Sequence, residues 1–140
     1  MIEKILVFTD GAANPNPGHA GIGIVIFDEE GNELCRHGDY IGEHTNNEAE
    51  YTALIRALDL APAHCTLHVV CHSDSELVVR QLNHIYRVKK PSLLELHRQV
   101  RHRESTFLSV EYVHVPREHP RLQIADDLSN RAIGTRGRVT

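Results

Sequence analysis

The sequence predicts a mixed α/β fold in which a five-stranded sheet is flanked by helices. Three strand-like segments come first, and two more follow later, separated by helix-like segments. A turn joins the second and third of these strands, and we expect the first three to form an antiparallel meander. The longer helical connections favour parallel pairing of the first, fourth and fifth strands through right-handed crossovers. The 140 residues fit one domain, since domains usually contain roughly 100–200 residues.

Each strand is predicted from an apolar or alternating run that ends at turn residues. The first, IEKILVFTD, ends at Asp10, and the loop GAANPNPGHAG follows it. GIGIVIFD and ELCRHGDYIG complete the meander around the turn EEGN. TLHVVCHSD, which ends at Asp74, and LSVEYVHVP, stopped by Pro116, are the fourth and fifth strands.

Four helices are predicted between and after the later strands. The first runs from Asn46 to Ala61 and is closed by Pro62. The others span Ser75 to Ile85, Ser92 to Arg103, and Gln123 to Ile133. We assign residues 1–134 to a single domain and 135–140 to a loose C-terminal tail, in which Val139 is a candidate for packing on the body.

Composition excludes several classes of protein. Hydrophobic residues make up 41% of the chain, which is enough for a core and too many for disorder. No apolar run approaches the roughly 18 residues that a membrane span needs. The N-terminus lacks the basic start and small-residue cleavage site of a secretory signal. We therefore expect a cytoplasmic protein with no membrane partner.

Cysteines and charges give weaker signals. The 3 cysteines, with no CxxC, are read as reduced core thiols, and the 11 histidines form no HExxH motif. A net charge of −4 does not favour a nucleic-acid partner, but basic residues cluster in one region. A solvated helix face and a phosphate-binding face are equally open readings of that cluster. Its members are Arg80, Arg87, Lys89, Lys90, Arg98, Arg101 and Arg103.

Asp10 and Asp74 stand at the ends of two strands that are predicted to be parallel. Each aspartate alone could cap a turn or a helix. If the strands are neighbours, however, the two carboxylates come close together and raise each other's pKa. A divalent cation relieves that repulsion, and Mg²⁺ prefers carboxylate oxygens together with water and phosphate. The pair therefore predicts a metal site.

The stretch TNNEAEYTAL contains two glutamates with different predicted roles. Thr45 followed three residues later by Glu48 is a capping box, so Glu48 has a structural role. Helical periodicity places Glu50 at the top of the apolar stripe that continues through Ala53 and Leu54. A buried carboxylate needs a partner, and a metal held by the two aspartates would supply one.

A fourth acid is expected near the last helix, in IADDLSNRA. Helical periodicity does not choose between Asp126 and Asp127, because both lie toward the edge of that helix's apolar stripe. At this stage both residues remain candidates.

Four motifs, in order along almost the whole chain, resemble type 1 ribonuclease H. These are TDGAANPNPGHAGIG, TNNEAEYTAL, SDSELVVRQLN and ADDLSNRA. The resemblance implies the RNase H-like fold and an endonuclease that cuts the RNA strand of an RNA/DNA hybrid, leaving 5′-phosphate and 3′-hydroxyl ends. It also implies two-metal chemistry with Mg²⁺, for which Mn²⁺ could substitute. By motif, the metal ligands and catalytic residues are Asp10, Glu50, Asp74 and Asp126.

The same resemblance implies residues that contact the substrate. Their expected partners are the backbone of the hybrid, a DNA phosphate and, for Glu76, the 2′-hydroxyl that marks RNA. The substrate-binding candidates are Gly11, Asn16, Thr45, Asn46, Asn47 and Glu76. His119, in the loop VPREHPRLQ, is a candidate catalytic histidine.

Some expectations concern the whole protein. The segment NHIYRVKKPS is too short for the basic protrusion of some relatives. We expect a monomer without an obligate protein partner. The alternatives are a non-catalytic module that binds a hybrid and a junction resolvase of the same architecture. The four retained acids argue against the first, and the TNN motif against the second.

Overall fold

The computed structural model describes all 140 residues and confirms the mixed sheet. Five strands lie in the order β3-β2-β1-β4-β5, with β1–β2 and β2–β3 antiparallel and β1–β4 and β4–β5 parallel. The strands are β1 Lys4–Asn14, β2 Gly18–Asp28, β3 Glu33–His44, β4 His68–Ser73 and β5 Ser109–His114. The helices are α1 Asn46–Leu60, α2 Glu76–Leu82, α3 Pro91–Glu104 and α4 Pro120–Thr135, with a short 3₁₀ turn at Ala61–Ala63. None of the helices combines the length and apolar character that crossing a bilayer requires.

Helix α1 covers one face of the sheet and forms the main core with it. Alternate residues of β1 and β2, such as Ile5 and Ile24, are fully buried and join the apolar stripe of α1 in one cluster. The helix begins with the predicted capping box. The Thr45 hydroxyl accepts a hydrogen bond from the Glu48 amide at 3.1 Å, and the Glu48 carboxylate accepts one from the Thr45 amide at 2.9 Å.

Helix α4 packs on the opposite face, where glycines let it approach the sheet closely. A Cβ atom built on Gly23 would overlap the backbone carbonyl of Ala125. Nearby, the buried Ser129 hydroxyl donates to the Gly21 carbonyl at 3.0 Å. Gly23 is also the cross-strand partner of Asp10. This contact therefore brings the residue that follows Ala125 close to Asp10 on β1.

Several predicted boundaries were wrong. Strand β1 does not end at Asp10 but continues to Asn14, because it keeps pairing with β2 in a long hairpin that uses much of the predicted loop. Helix α2 ends at Leu82 instead of Ile85, and His84 adopts a positive φ of 63° just beyond it. Helix α4 starts one turn earlier than predicted, at Pro120.

The C-terminal tail is attached to the edge strand β3. Val139 forms a two-way backbone pair with Gly38, with N–O distances of 2.8 and 2.9 Å. Val139, the tail residue that we had singled out for packing, therefore does contact the body.

The close approach at Gly23 predicts a matched pair of substitutions. We expect Gly23→Ala to lower the free energy of unfolding by about 2 kcal/mol, because the new methyl group has to push α4 off the sheet. Gly134 lies in α4 itself, and a Cβ atom at this position would meet no atom within 4 Å. We expect Gly134→Ala to raise the free energy of unfolding by up to about 1 kcal/mol. Urea denaturation of both variants measures the difference. Equal effects would contradict the assigned packing of α4.

Candidate active site

The sheet brings Asp10 and Asp74 to the same edge, as predicted. Strands β1 and β4 are adjacent and parallel, and their last paired residues are Phe8 and His72. Each aspartate lies two residues beyond its member of that pair. Both carboxylates therefore project near the point where β1 and β4 separate.

Glu50, from α1, completes a compact cluster with these two aspartates. One carboxylate oxygen from each of Asp10, Glu50 and Asp74 can be chosen so that all three lie within 4.8 Å of one another. Asp10 and Glu50 are only 5% and 8% exposed. The Gly11 amide donates to a Glu50 carboxylate oxygen at 2.6 Å, and a side chain on Gly11 would collide with Ala49. The absence of a side chain on Gly11 thus lets α1 deliver Glu50 to the cluster.

Asp126 lies at the same place, outside this closest set of three. It lines the cavity of about 300 Å³ that the three acids share. Asp127, which periodicity left as an equal candidate, does not line that cavity; its side chain is 66% exposed and lies 3.7 Å from Arg131. Gly23 explains the placement, since it pairs with Asp10 and contacts Ala125, the residue before Asp126.

Burial and mutual repulsion shape the electrostatics of the acids. Burial, followed by the charges of Asp74 and Asp126, raises the pKa of Asp10 to about 8. Burial and then the charge of Asp10 raise the pKa of Glu50 well above its ordinary value. Burial also raises the pKa of Asp74, while the nearby Arg117 acts against that rise. In the absence of a cation, the cluster therefore favours bound protons.

The cluster meets the requirements of a divalent-cation site. The Asp10 Oδ2 atom is buried and has no hydrogen-bond partner. A buried unpaired carboxylate oxygen is costly unless an ion or another group satisfies it. A set of donors made only of carboxylate oxygens suits hard cations such as Mg²⁺ or Mn²⁺.

Sequence reasoning missed two polar residues that line the cavity. Arg117, in the loop after β5, faces the acids and lowers the pKa of both Asp10 and Asp74. Ser75 also lines it, and its hydroxyl caps α2 by accepting from the Val78 amide at 3.3 Å. Arg117 lies in an irregular loop, where hydrophobic periodicity predicts nothing about the direction of a side chain. Only the path of the loop in the structure shows that Arg117 reaches the cavity.

His119, the candidate catalytic histidine, does not line the acid cavity. It is the N-cap of α4, and its Nδ1 atom accepts from the Arg121 amide at 3.1 Å. Its ring packs on Phe8 with a centroid distance of 5.0 Å. The contacts of His119 are thus with the start of α4 and with β1.

Two of the predicted substrate-binding asparagines are engaged within the protein. The Asn46 amide donates to Asn16 Oδ1 at 3.0 Å, and Asn46 Oδ1 accepts from the Ala13 amide at 2.7 Å. These bonds hold the tip of the β1–β2 hairpin against the start of α1, beside the cavity that Asn46 and Asn47 line.

The other two substrate-binding candidates with side chains lie farther out. The Thr45 hydroxyl serves the capping box of α1. Glu76 is largely exposed and lies 2.9 Å from Arg80.

Most of the predicted basic cluster is neutralised by neighbouring acids. Four of its arginines form ion pairs with N–O distances of 2.6 to 2.9 Å, and Arg87, Lys89 and Lys90 form none. The pairs are Arg80–Glu76, Arg98–Glu95, Arg101–Glu104 and Arg103–Asp59. Of the two open readings, the solvated helix face therefore describes most of this cluster.

Comparisons with known proteins agree with this geometry. Residues 8–132 match the family model described as reverse transcriptase-like. The chain is 37% identical over 131 residues to a bifunctional protein of Mycobacterium tuberculosis, and 35% identical over 130 residues to ribonuclease HI of Halobacterium salinarum. These alignments cover 93% of this chain but only 35% and 64% of those two proteins. The chain thus spans about a third of the mycobacterial relative's length.

Two of the solved structures that match this chain are covered over nearly their full length. The crystal structure of RNase H1 from Halobacterium salinarum has a TM-score of 0.89 and 34% identity, with 94% of this chain and 98% of that chain covered. LC11-RNase H1, solved in complex with an RNA/DNA hybrid, has a TM-score of 0.88 and 45% identity over the same shares of the two chains. With its fold, its acidic cluster and these relatives, the chain belongs to the type 1 ribonuclease H family.

Proposed function

We propose that the chain is a metal-dependent endoribonuclease that hydrolyses the RNA strand of RNA/DNA hybrids and leaves 5′-phosphate and 3′-hydroxyl ends. The observation that carries this proposal is the cluster of Asp10, Glu50 and Asp74, which can place one oxygen each within 4.8 Å of one another and which contains a buried Asp10 oxygen without a hydrogen-bond partner. The relative LC11-RNase H1, solved with an RNA/DNA hybrid, supports the choice of substrate.

The cation sites would be held by the four acids, with Asp126 joining the cluster of three. We propose Mg²⁺ as the natural ion and Mn²⁺ as a substitute, because both accept carboxylate oxygens. Two such ions, held by these carboxylates, would supply activation of the attacking water and stabilisation of the leaving 3′ oxygen. The residues of the chain supply the placement: Gly11 orients Glu50, and the sheet fixes Asp10 beside Asp74.

The surroundings of the cluster suit a nucleic-acid backbone. Arg117 presents a cation at the cavity, where a phosphate would bring negative charge. Asn47 lines the same cavity, and the hairpin tip held by Asn16 and Asn46 lies beside it. Gly11 and Thr45 would approach the sugar–phosphate backbone, and Glu76 would accept from a 2′-hydroxyl.

The proposal extends to the protein as a whole. We take it to act as a cytoplasmic monomer without an obligate partner. The competing function is a module of the same fold that binds a hybrid without cutting it. The cavity argues for cleavage, because it retains all four acids.

Cleavage of labelled substrates tests the function, with two glutamates of α1 as a matched pair. The wild-type protein should cut the RNA strand of a hybrid in Mg²⁺, cut no DNA duplex, and stop in EDTA. Glu50→Gln should lose at least about 100-fold in activity, since mutation of a residue that only hydrogen-bonds to a metal ligand already costs about 10–100-fold. Glu48→Gln should stay within about twofold, because Gln also serves a capping box.

The outcomes of this assay separate the two functions. Binding of the hybrid without cleavage by the wild-type protein would favour the non-catalytic module. Loss of activity in Glu48→Gln, with Glu50→Gln active, would mean that the assigned register of α1 is wrong.

The two adjacent aspartates of α4 give a second matched pair. Asp126→Asn should lower turnover sharply in Mg²⁺ and raise the ion concentration needed for half-maximal activity, because it removes a carboxylate from the cavity. Asp127→Asn should keep activity near the wild-type level. It removes only an exposed contact with Arg131, of a kind worth about 0.3–0.5 kcal/mol. A Mg²⁺ titration of both variants decides, and an inactive Asp127→Asn would refute the assignment.

The raised pKa of Asp10 predicts how stability depends on pH in EDTA. The folded protein holds this proton up to about pH 8, whereas the ordinary pKa is 3.8. Because the folded state binds the proton more tightly, the free energy of unfolding should fall as pH rises from about 4 to about 8. Asp10→Asn should flatten this decline and melt higher than the wild type at alkaline pH, while losing activity.

Thermal melts in EDTA across that pH range, repeated with Mg²⁺, measure the effect. Added Mg²⁺ should stabilise the wild type more than Asp10→Asn. A wild-type protein that gains stability with rising pH in EDTA would contradict the assigned electrostatics.

A further inference from the structure

The start of α4 uses an imidazole where helices usually place a hydroxyl, carboxylate or carboxamide. His119 is the N-cap residue, and its Nδ1 atom accepts a hydrogen bond from the Arg121 amide at 3.1 Å. An accepting Nδ1 carries no proton, so a neutral ring in this position has its proton on Nε2. The cap therefore specifies both the orientation of the ring and its tautomer.

The same ring is fixed by aromatic packing. It lies on Phe8 with a centroid distance of 5.0 Å and an interplanar angle of 32°. Phe8 is 2% exposed and stacks on His72 at 4.2 Å. Because Phe8 and Asp10 are two residues apart on β1, their side chains project on the same side of the strand. The ring of His119 thus ties the beginning of α4 to the strand that carries Asp10.

Arg121 gives the first turn of α4 a second contact with the sheet, through the Phe27 ring. Its guanidinium carbon lies 4.1 Å from the centroid of the Phe27 ring, a distance typical of a cation–π contact. Phe27 in turn meets Phe8 edge to face at 6.1 Å. The residue whose amide is capped by His119 is therefore itself anchored on β2.

The residues on either side of this anchor are the ones that reach the acid cavity. Arg117 precedes His119 by two residues and Asp126 follows it by seven, and both line the cavity, whereas His119 does not. We propose that His119 is a positioning residue. Through its cap on α4 and its contact with Phe8, it places Arg117 and Asp126, and it transfers no proton itself. This inference rests on the proposed hydrolase function.

Two substitutions at this position separate positioning from proton transfer. His119→Ala removes the cap and the ring, and we expect kcat on a hybrid to fall severalfold and Tm to fall by about 3–5 °C. His119→Asn restores a strong N-cap but cannot carry a proton at neutral pH. We expect it to recover most of the lost kcat. Equal loss of kcat in the two variants would overturn the proposal that the cap positions Arg117 and Asp126, and full activity of His119→Ala would overturn any positioning role of this residue.

A control variant separates local placement from general loss of stability. The Tyr112 hydroxyl donates to Glu104 at 2.6 Å, between β5 and α3, and neither residue lines the acid cavity. Tyr112→Phe should lower Tm without lowering kcat when the assay is run well below both melting temperatures. A loss of kcat in Tyr112→Phe equal to that in His119→Ala would attribute the effect to general destabilisation and overturn the proposal.

A spectroscopic measurement tests the cap without any cleavage. The ¹⁵N signals of His119 should show that the neutral form of the ring carries its proton on Nε2. A proton on Nδ1 would overturn the cap. If the wild-type protein cuts no hybrid, the proposed function fails and the catalytic part of this inference fails with it. The tautomer and the melting temperatures still decide whether His119 holds α4 in place.

Discussion

The mutual repulsion of buried carboxylates is the constraint around which this molecule is arranged. Asp10 and Glu50 are almost fully buried, and their oxygens lie close to those of Asp74. Such a cluster is unfavourable by itself, because burial and like charges both oppose ionisation. The surrounding fold has to supply enough packing energy to hold the acids together, and it does so with a rigid parallel strand pair and two helices that lie directly on the sheet.

Glycine contacts give both helices their reach toward the acids. On one face, the absence of a side chain on Gly11 lets α1 come so close that the backbone amide of Gly11 donates a hydrogen bond to Glu50. On the other face, α4 contacts the sheet at Gly23, which is the cross-strand partner of Asp10. Asp126 therefore lines the same cavity. On both faces, a glycine next to Asp10 lets a helix pack closely on the sheet: Gly11 follows Asp10 along β1, and Gly23 pairs with it from β2.

Most of this site could be predicted from the sequence because its acidic residues lie at positions that strand and helix periodicity define. Asp10 and Asp74 follow apolar runs that behave as parallel strands, and helical spacing separates the buried Glu50 from the capping Glu48. The order of the elements along the chain, the antiparallel meander, the parallel direction of β1, β4 and β5, and the capping box were also predicted correctly. These features depend on local pattern, which a single sequence displays directly.

What could not be predicted depends on contacts between distant segments. Helical periodicity alone could not choose Asp126, and only the resemblance to the family motif selected it. Its placement comes from the approach of α4 to Gly23, about 100 residues earlier in the chain. The position of Arg117 depends on the path of an irregular loop. Three of the arginine ion pairs lie at helical spacing and could have been anticipated, but Arg103 pairs with Asp59 across two helices.

The pairing of Val139 with Gly38 has a consequence for how the molecule meets its own copies. An edge strand offers unpaired amides and carbonyls, and it can recruit a strand from another molecule. At Gly38 those groups are already occupied by Val139, and the Val139 side chain fills the space where a larger residue at position 38 would stand. The tail therefore blocks strand addition at the middle of β3, so a second molecule could extend the sheet at this edge only by first displacing the tail.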